Sequence, residues 1–397
     1  MTTPTATRPA ERLARLLTRL LTRLLTTITT VRAPYQAAFF RIGLSSVVLA
    51  FLLHEWPNRH VLYGNHSALS FDLAQVLIRE ERTFTALAWG DGGLWFETVY
   101  TVTIAAAVAV LLGWRTRGAS VLLMAGVLSV INRNTLVGDG GDNVVRIMVI
   151  YLVLTRCAQV WSLDARRARR RTVLSHGPGH DPVGLVLWAA AVAVLVPLSS
   201  YPTQGWSLVF WTLWAVQGVW YAAELRFPRH EARAALDAAA SMLHNCAMLA
   251  IAAQVCLIYA TAGWYKIQGS RWQEGSALYY ALHLDYFTPW PTLSGFLAGS
   301  TLTVLALSYL TVMVQVAFPF TLANRKVKNV LLAVMIAEHL GIAVVLGIPF
   351  LSLAMVVCDA VFLPTAFLVA LGTRCERLAE RLRPLPTREV RPVVPAG

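Results

Sequence analysis

Lys266 is the residue whose type and setting first suggest chemistry. It ends the apolar stretch "LIYATAGWYK" (257–266), and Trp272, Tyr279 and Tyr280 follow it. A lysine at the end of an apolar helix commonly snorkels to the membrane interface while its stem covers apolar surface. An amine shielded from water can instead serve as a general base. Trp264, Tyr265, Trp272, Tyr279 and Tyr280 supply rings for such a shield. The same rings suit an interfacial aromatic belt, so the residues alone leave both roles open.

The second candidate is the adjacent pair Glu338 and His339, in "AEHLG" within the apolar run 329–347. Ionisable groups deep in a membrane helix face a partner or a cavity. Neighbouring positions point about 100° apart, so the two should meet different neighbours, through interhelical hydrogen bonds or through function. Glu97, Arg146, Glu224 and Gln315 are further polar residues in or beside apolar segments, and Arg146 could pair with Asp142 one turn earlier.

"GDGGD" (138–142) lacks the P-loop lysine and the dinucleotide-site spacing. It reads as a tight turn, with Asp142 or Asn143 capping the next helix. His54, His60 and His66 have no metal-ligand spacing, and the five cysteines form no C-x-x-C pair, so neither a metal nor a disulfide framework is expected. There is no G-x-S-x-G and no H-E-x-x-H.

The elements that must position these residues are membrane helices. Of 397 residues 56% are apolar and 14% charged, too little charge to cover a soluble surface, and the mean hydropathy is +0.56. A spanning helix needs about 20 apolar residues. Ten segments are expected to cross: 36–54, 94–113, 117–134, 143–162, 183–200, 206–223, 245–266, 296–320, 329–347 and 350–371. The fold class is therefore all-α, a polytopic helix bundle. The net charge of +13 would suggest nucleic acid in a soluble chain; here basic residues in short loops set orientation instead.

With ten alternating helices, the basic clusters fall on one side. They are the N-terminal arginines, Arg115 and Arg117, Arg166 to Arg171, Arg226, Arg229 and Arg233, Arg325, Lys326 and Lys328, and the tail arginines Arg374, Arg377, Arg381, Arg383, Arg388 and Arg391. The positive-inside rule then makes both termini cytoplasmic and turns the loops 55–93, 132–142 and 267–295 outward. Residues 1–35 form a basic segment in which Arg12, Arg15, Arg19 and Arg23 line one helix face and leucines the other. Such a helix suits an anionic lipid surface. Residues 372–397 are expected to be a basic cytoplasmic tail without regular structure.

The sequence resembles the HTTM-domain membrane proteins, bacterial relatives of vitamin K-dependent gamma-carboxylase. The resemblance runs from about Ala37 to about Phe367. Its most specific parts are "NRNTLVGDGGDNVVR", "YATAGWYKIQGSRWQEGSALYYAL" and "FPFTLANRKVKNVLLAVMIAEHLGIAVVLGIPFLSLAM". It implies a multi-pass protein of the bacterial plasma membrane and a lyase-like activity using reduced vitamin K or another quinol. In that family a lysine that follows an Ala-Gly pair with two residues between, ahead of Trp-x-Glu-Gly, is the base. Ala262-Gly263 and Trp272-Gln273-Glu274-Gly275 put Lys266 in that place, with one extra residue between, and His339 matches a family histidine approximately.

By the same resemblance Asn132, Arg133, Trp264 and Tyr265 would line the cofactor, and Trp272, Glu274, His283 and Glu338 the substrate. One departure stands out. The carboxylase has Asn-His where this chain has Asn132-Arg133, and arginine cannot titrate near neutral pH, though it can clamp an anion. The large lumenal domain of the animal enzyme has no counterpart after Leu371, so carboxylation of a peptide is not expected. The alternative is a non-enzymatic factor that binds or matures a secreted peptide or lipid through its outer loops. Transport is a third reading, weakened by the absence of an inverted repeat.

Overall fold

A computed structural model describes residues 9–174, 182–201, 205–226 and 231–381. Arg8, Arg229, Arg383, Arg388 and Arg391 lie outside the described residues. Every described element is helical. The main helices are α1 (Pro9–Thr29), α2 (Pro34–Glu55), α3 (Gly93–Leu112), α4 (Thr116–Ile131), α5 (Gly140–Val153), α6 (Leu163–Leu174), α7 (Pro182–Ala190), α8 (Val192–Ser199), α9 (Trp206–Arg226), α10 (Glu231–Gln268), α11 (Thr301–Ala317), α12 (Arg325–Val345), α13 (Pro349–Asp359) and α14 (Thr365–Arg381). Short helical turns fill the longer links. Apolar chain in lipid must satisfy its backbone groups internally, and helices do so within one segment.

Among the described residues six helical stretches are long and apolar enough to cross a membrane, seven if a bent pair counts as one span. Several expected spans are interrupted. The segment 350–371 is not one helix: Pro349–Phe362 and Thr365–Arg381 meet at 114°. Leu363 is extended there, at φ −64° and ψ 142°, because Pro364 disfavours helix in the residue before it. The segment 296–320 breaks between Pro291–Ala298 and Thr301–Ala317, and 143–162 is helical only to Val153. Residues 372–381, expected to be irregular, continue α14.

The bundle has two chemically distinct ends. At one, Gln36 Nε2 donates to the carbonyl of Leu363 and to Thr365 Oγ1, joining the start of α2 to the start of α14. Asp164 accepts from the backbone amides of Arg115 and Thr116, joining α6 to the start of α4. Arg233 pairs with Glu224 and Asp237, and Arg117 and Arg233 both lie over the Trp220 ring. His244 and Asn245 of α10 hold the α1–α2 link through the carbonyls of Arg32, Ile28 and Thr30. The basic links therefore gather at this end. At the other, Tyr100 donates to the Leu52 carbonyl, Asn132 to that of Phe84, and Asn134 to that of Leu62. That end carries the polar, aromatic loops.

Arg41, on α2, ties together three segments at the basic end: α2, the end of α3 and the α5–α6 link. It is fully buried and donates to the carbonyls of Val110 (2.5 Å), Leu111 (2.7 Å), Trp161 (2.8 Å) and Cys157 (3.3 Å). The α3–α4 pair is close because Gly126 faces Thr103; a Cβ at Gly126 would overlap the Thr103 side chain. Small residues let membrane helices approach in this way. Gly126→Leu should destabilise the protein by about 1–3 kcal/mol, read as an earlier thermal melt in a fixed detergent. A wild-type melt would show that α3 and α4 do not pack as described.

Two sequence expectations at the start of α5 change. Asp139 is the N-cap, accepting from the amides of Gly141 and Asp142, and Asp142 returns a bond from its carboxylate to the Asp139 amide. This reciprocal cap explains "GDGGD" without a ligand. Arg146 does not pair with Asp142; it donates to Asn132 Oδ1 at 2.9 Å and to Asn143, because Asp142 is turned back into the cap.

Candidate functional site

Four helices bring the ionisable residues together. Gly263 on α10 faces Val316 of α11, where a Cβ would stand 2.6 Å from Val316 Cγ2, so the helices approach closely just before Lys266. Lys266 Nζ then donates to Gln315 Oε1 at 2.7 Å, and Gln315 Nε2 donates to Glu338 Oε1 at 2.7 Å. The amine, the amide and the carboxylate form a chain across α10, α11 and α12. Lys266 has no carboxylate within 4 Å among the described residues, so its nearest partner is a neutral amide. Trp272 covers the amine, with Nζ 5.3 Å from the ring centroid. The turn that carries Trp272, Ser270–Gln273, is fixed by the Tyr309 hydroxyl, which donates to the Gln273 carbonyl at 2.7 Å.

A second group begins one residue along α12. The Tyr259 hydroxyl lies 3.0 Å from His339 Nε2 and donates to the Asp359 carboxylate at 2.9 and 3.0 Å. All three residues are buried. A tyrosine that donates to an ionised Asp359 accepts from His339 Nε2, and in that tautomer Nδ1 is the acceptor. Nδ1 is buried with no hydrogen-bond partner among the described residues. Asp359 and Tyr259 hold the orientation of the imidazole, in the way a carboxylate orients a catalytic histidine. Tyr259→Phe should release this lock: the histidine nitrogen resonances of labelled protein should change for His339 and not for His244. Unchanged resonances would mean that the tyrosine does not set the tautomer.

Glu338 and His339 therefore meet different neighbours, Gln315 and Tyr259, on one turn of α12. The remaining expected residues are dispersed. Asn132 and Arg133 are both buried; Asn132 Nδ2 donates to the Phe84 carbonyl and its Oδ1 accepts from Arg146, and Arg133 donates to the Leu69 carbonyl at 3.1 Å. They fasten the first loop to the end of α4. Trp264 and Tyr265 are 61% and 73% exposed. They cannot shield the amine beside them, because consecutive positions on a helix diverge and these two point outward. Tyr279 and Tyr280 are also exposed, and Tyr280 lies against Arg271 instead. Glu274 is exposed beside Arg271 at 3.8 Å. His283 stacks on Tyr279 at 4.1 Å and bonds its carbonyl.

Tyr259 and Asp359 were not singled out from the sequence. Asp359, in the apolar run "LAMVVCDAVF", carried a usable signal: a carboxylate inside a membrane segment needs a partner. Glu97 finds its partners in Arg59 at 2.8 Å and His60 at 2.7 Å. Among the described residues no three His, Cys, Asp or Glu side chains converge to hold a metal ion. Comparison with family models, with curated proteins and with solved structures returned no match.

Proposed function

We propose that this chain is a multi-pass enzyme of the bacterial plasma membrane, in which Lys266 is a general base toward a lipophilic quinol. The observation that carries the reading is the inward turn of Lys266 onto Gln315. A snorkelling anchor would reach for water, whereas this amine is held inside the bundle, covered by Trp272 and free of a direct ion pair. The resemblance to HTTM-domain proteins and gamma-carboxylase singles out the same lysine.

The residues at hand suit a quinol. Its two hydroxyl groups need acceptors, and the bundle offers the Lys266 amine and the orphaned His339 Nδ1. When bound, a quinol supplies an ionisable hydroxyl and two reducing electrons. The Lys266 amine accepts the hydroxyl proton. Gln315 orients the amine through its carbonyl, and Glu338 fixes the amide of Gln315 from the other side. Tyr259 and Asp359 keep His339 Nδ1 as an acceptor. Arg133 plays no part at this centre; it serves the first loop.

Ten crossings with both termini cytoplasmic belong to the same proposal. Helices α2, α3, α4 and α5, the α7–α8 pair, α9, α10, α11, α12 and the short α13 would each cross once. The gathering of the basic links at one end supports this count, and α14 would then lie along the cytoplasmic surface. The test is oxygen uptake by the purified protein in nanodiscs supplied with menaquinol. Uptake above that of empty nanodiscs supports quinol-linked enzymology; equal uptake with menaquinol and ubiquinol alike at the empty-nanodisc level removes it.

A further inference from the structure

At the loop end a partly open cleft of about 340 Å³ lies between the end of α2, α4, the start of α5 and the α12–α13 link. This lies within the roughly 300–1,000 Å³ range of small-molecule sites. Its floor is apolar, made by aliphatic residues of α2, α4 and α5, and closed by Phe51 against Phe350, ring centroids 5.4 Å apart. Its polar lining is His54, Glu55, Tyr63, Asp139, Asp142 and Tyr286. No lysine or arginine lines it, and it shares no residue with the Lys266 chain or the Tyr259 group.

Three carboxylates therefore face one apolar space. Asp139 and Asp142 each spend one oxygen on the α5 cap and keep the other. Glu55 has only His54, 3.9 Å away and mostly exposed. Tyr63 is 5% exposed, yet its hydroxyl makes no hydrogen bond among the described residues. Burial first, then the charges of Asp142 and Glu55, push that hydroxyl well above its usual range, so it remains a neutral phenol. A phenol oxygen that makes no hydrogen bond among the described residues and three carboxylates over an apolar floor have a common complement.

We propose that this cavity binds an organic cation, a primary ammonium carried on an apolar body. The ammonium supplies its three N–H donors to Glu55, to the free oxygen of Asp142 and to the Tyr63 oxygen, while the exposed Asp139 adds negative charge at the rim. The apolar body covers the valines and phenylalanines below. A bare metal ion is disfavoured, since the carboxylates do not converge as ligands. The site is independent of the Lys266 reading.

The test is calorimetric titration of the full-length protein in nanodiscs with phenethylamine, protonated at neutral pH, and with its neutral isostere 2-phenylethanol. The amine should bind saturably and about tenfold tighter or more than the alcohol. Glu55→Gln should remove most of that preference while leaving alcohol binding unchanged. If Glu55→Gln melts early, Tyr63→Phe, which deletes one hydroxyl, carries the same comparison. Equal binding of amine and alcohol, amine heats matching those of empty nanodiscs, or a preference untouched by substitution each overturn the proposal.

Discussion

Lys266→Arg should lower quinol-dependent turnover by about two to four orders of magnitude, the usual contribution of a positioned general base. Arginine keeps the positive charge, the length and the ability to donate to Gln315, but it does not give up its proton near neutral pH. Lys266→Gln should lose as much, because it has no basic nitrogen. An interfacial anchor predicts the opposite pattern: arginine harmless and glutamine mild. Gln315→Leu separates positioning from chemistry. It removes the only side-chain hydrogen bond to the amine among the described residues, and should reduce turnover less than loss of the amine itself. Initial rates in matched nanodiscs decide the matter. Full activity in Lys266→Arg would leave the lysine as an anchor.

Arg41→Leu should cost the fold about 3 kcal/mol or more. The side chain is fully buried and donates to four backbone carbonyls, two at the end of α3 and two in the α5–α6 link. Leucine fills part of the volume but leaves those acceptors without donors, at about 1–3 kcal/mol for each one that finds no substitute. The thermal midpoint should fall by about 6 °C or more. Arg41→Lys should recover part of the loss, since one ammonium cannot reach all four carbonyls in the geometry of a guanidinium fork. A midpoint equal to wild type in Arg41→Leu would show that these carbonyls have other partners.

The difference between what was legible in the sequence and what was not is physical. Apolar runs announce membrane helices, and the alternation of basic and polar links suggests two ends; both are composition effects. Helix continuity is a local matter. Pro364 and the short lengths of α4 and α5 break a pattern that hydropathy reads as uniform, so long spans become bent or short ones. At the site, the pair Glu338-His339 and the lysine were visible because ionisable groups stand out in apolar sequence. Their connection was not, because Gln315 lies 49 positions from Lys266 and 23 from Glu338. Arg133 shows another limit: a polar residue in an expected outer loop was assigned to a ligand, and its Nη1 donates to the Leu69 carbonyl.

Asp359 shows why the second group escaped notice. A lone carboxylate among valines has no sequence neighbour to explain it, and its partner Tyr259 lies 100 positions away. The tyrosine itself blends into an apolar run. Yet the three-residue group orients His339 with its Nδ1 unpartnered among the described residues, which is what makes the region more than a lysine on an amide.

The central claim is that Lys266 and its neighbours hold a quinol, and native mass spectrometry of the protein extracted with its own membrane lipids tests it most directly. The account predicts a quinone-sized molecule retained by the wild-type chain, lost from Lys266→Met and weakened in Tyr259→Phe. A wild-type chain that carries no such molecule, or a Lys266→Met chain that carries as much as wild type, would contradict it.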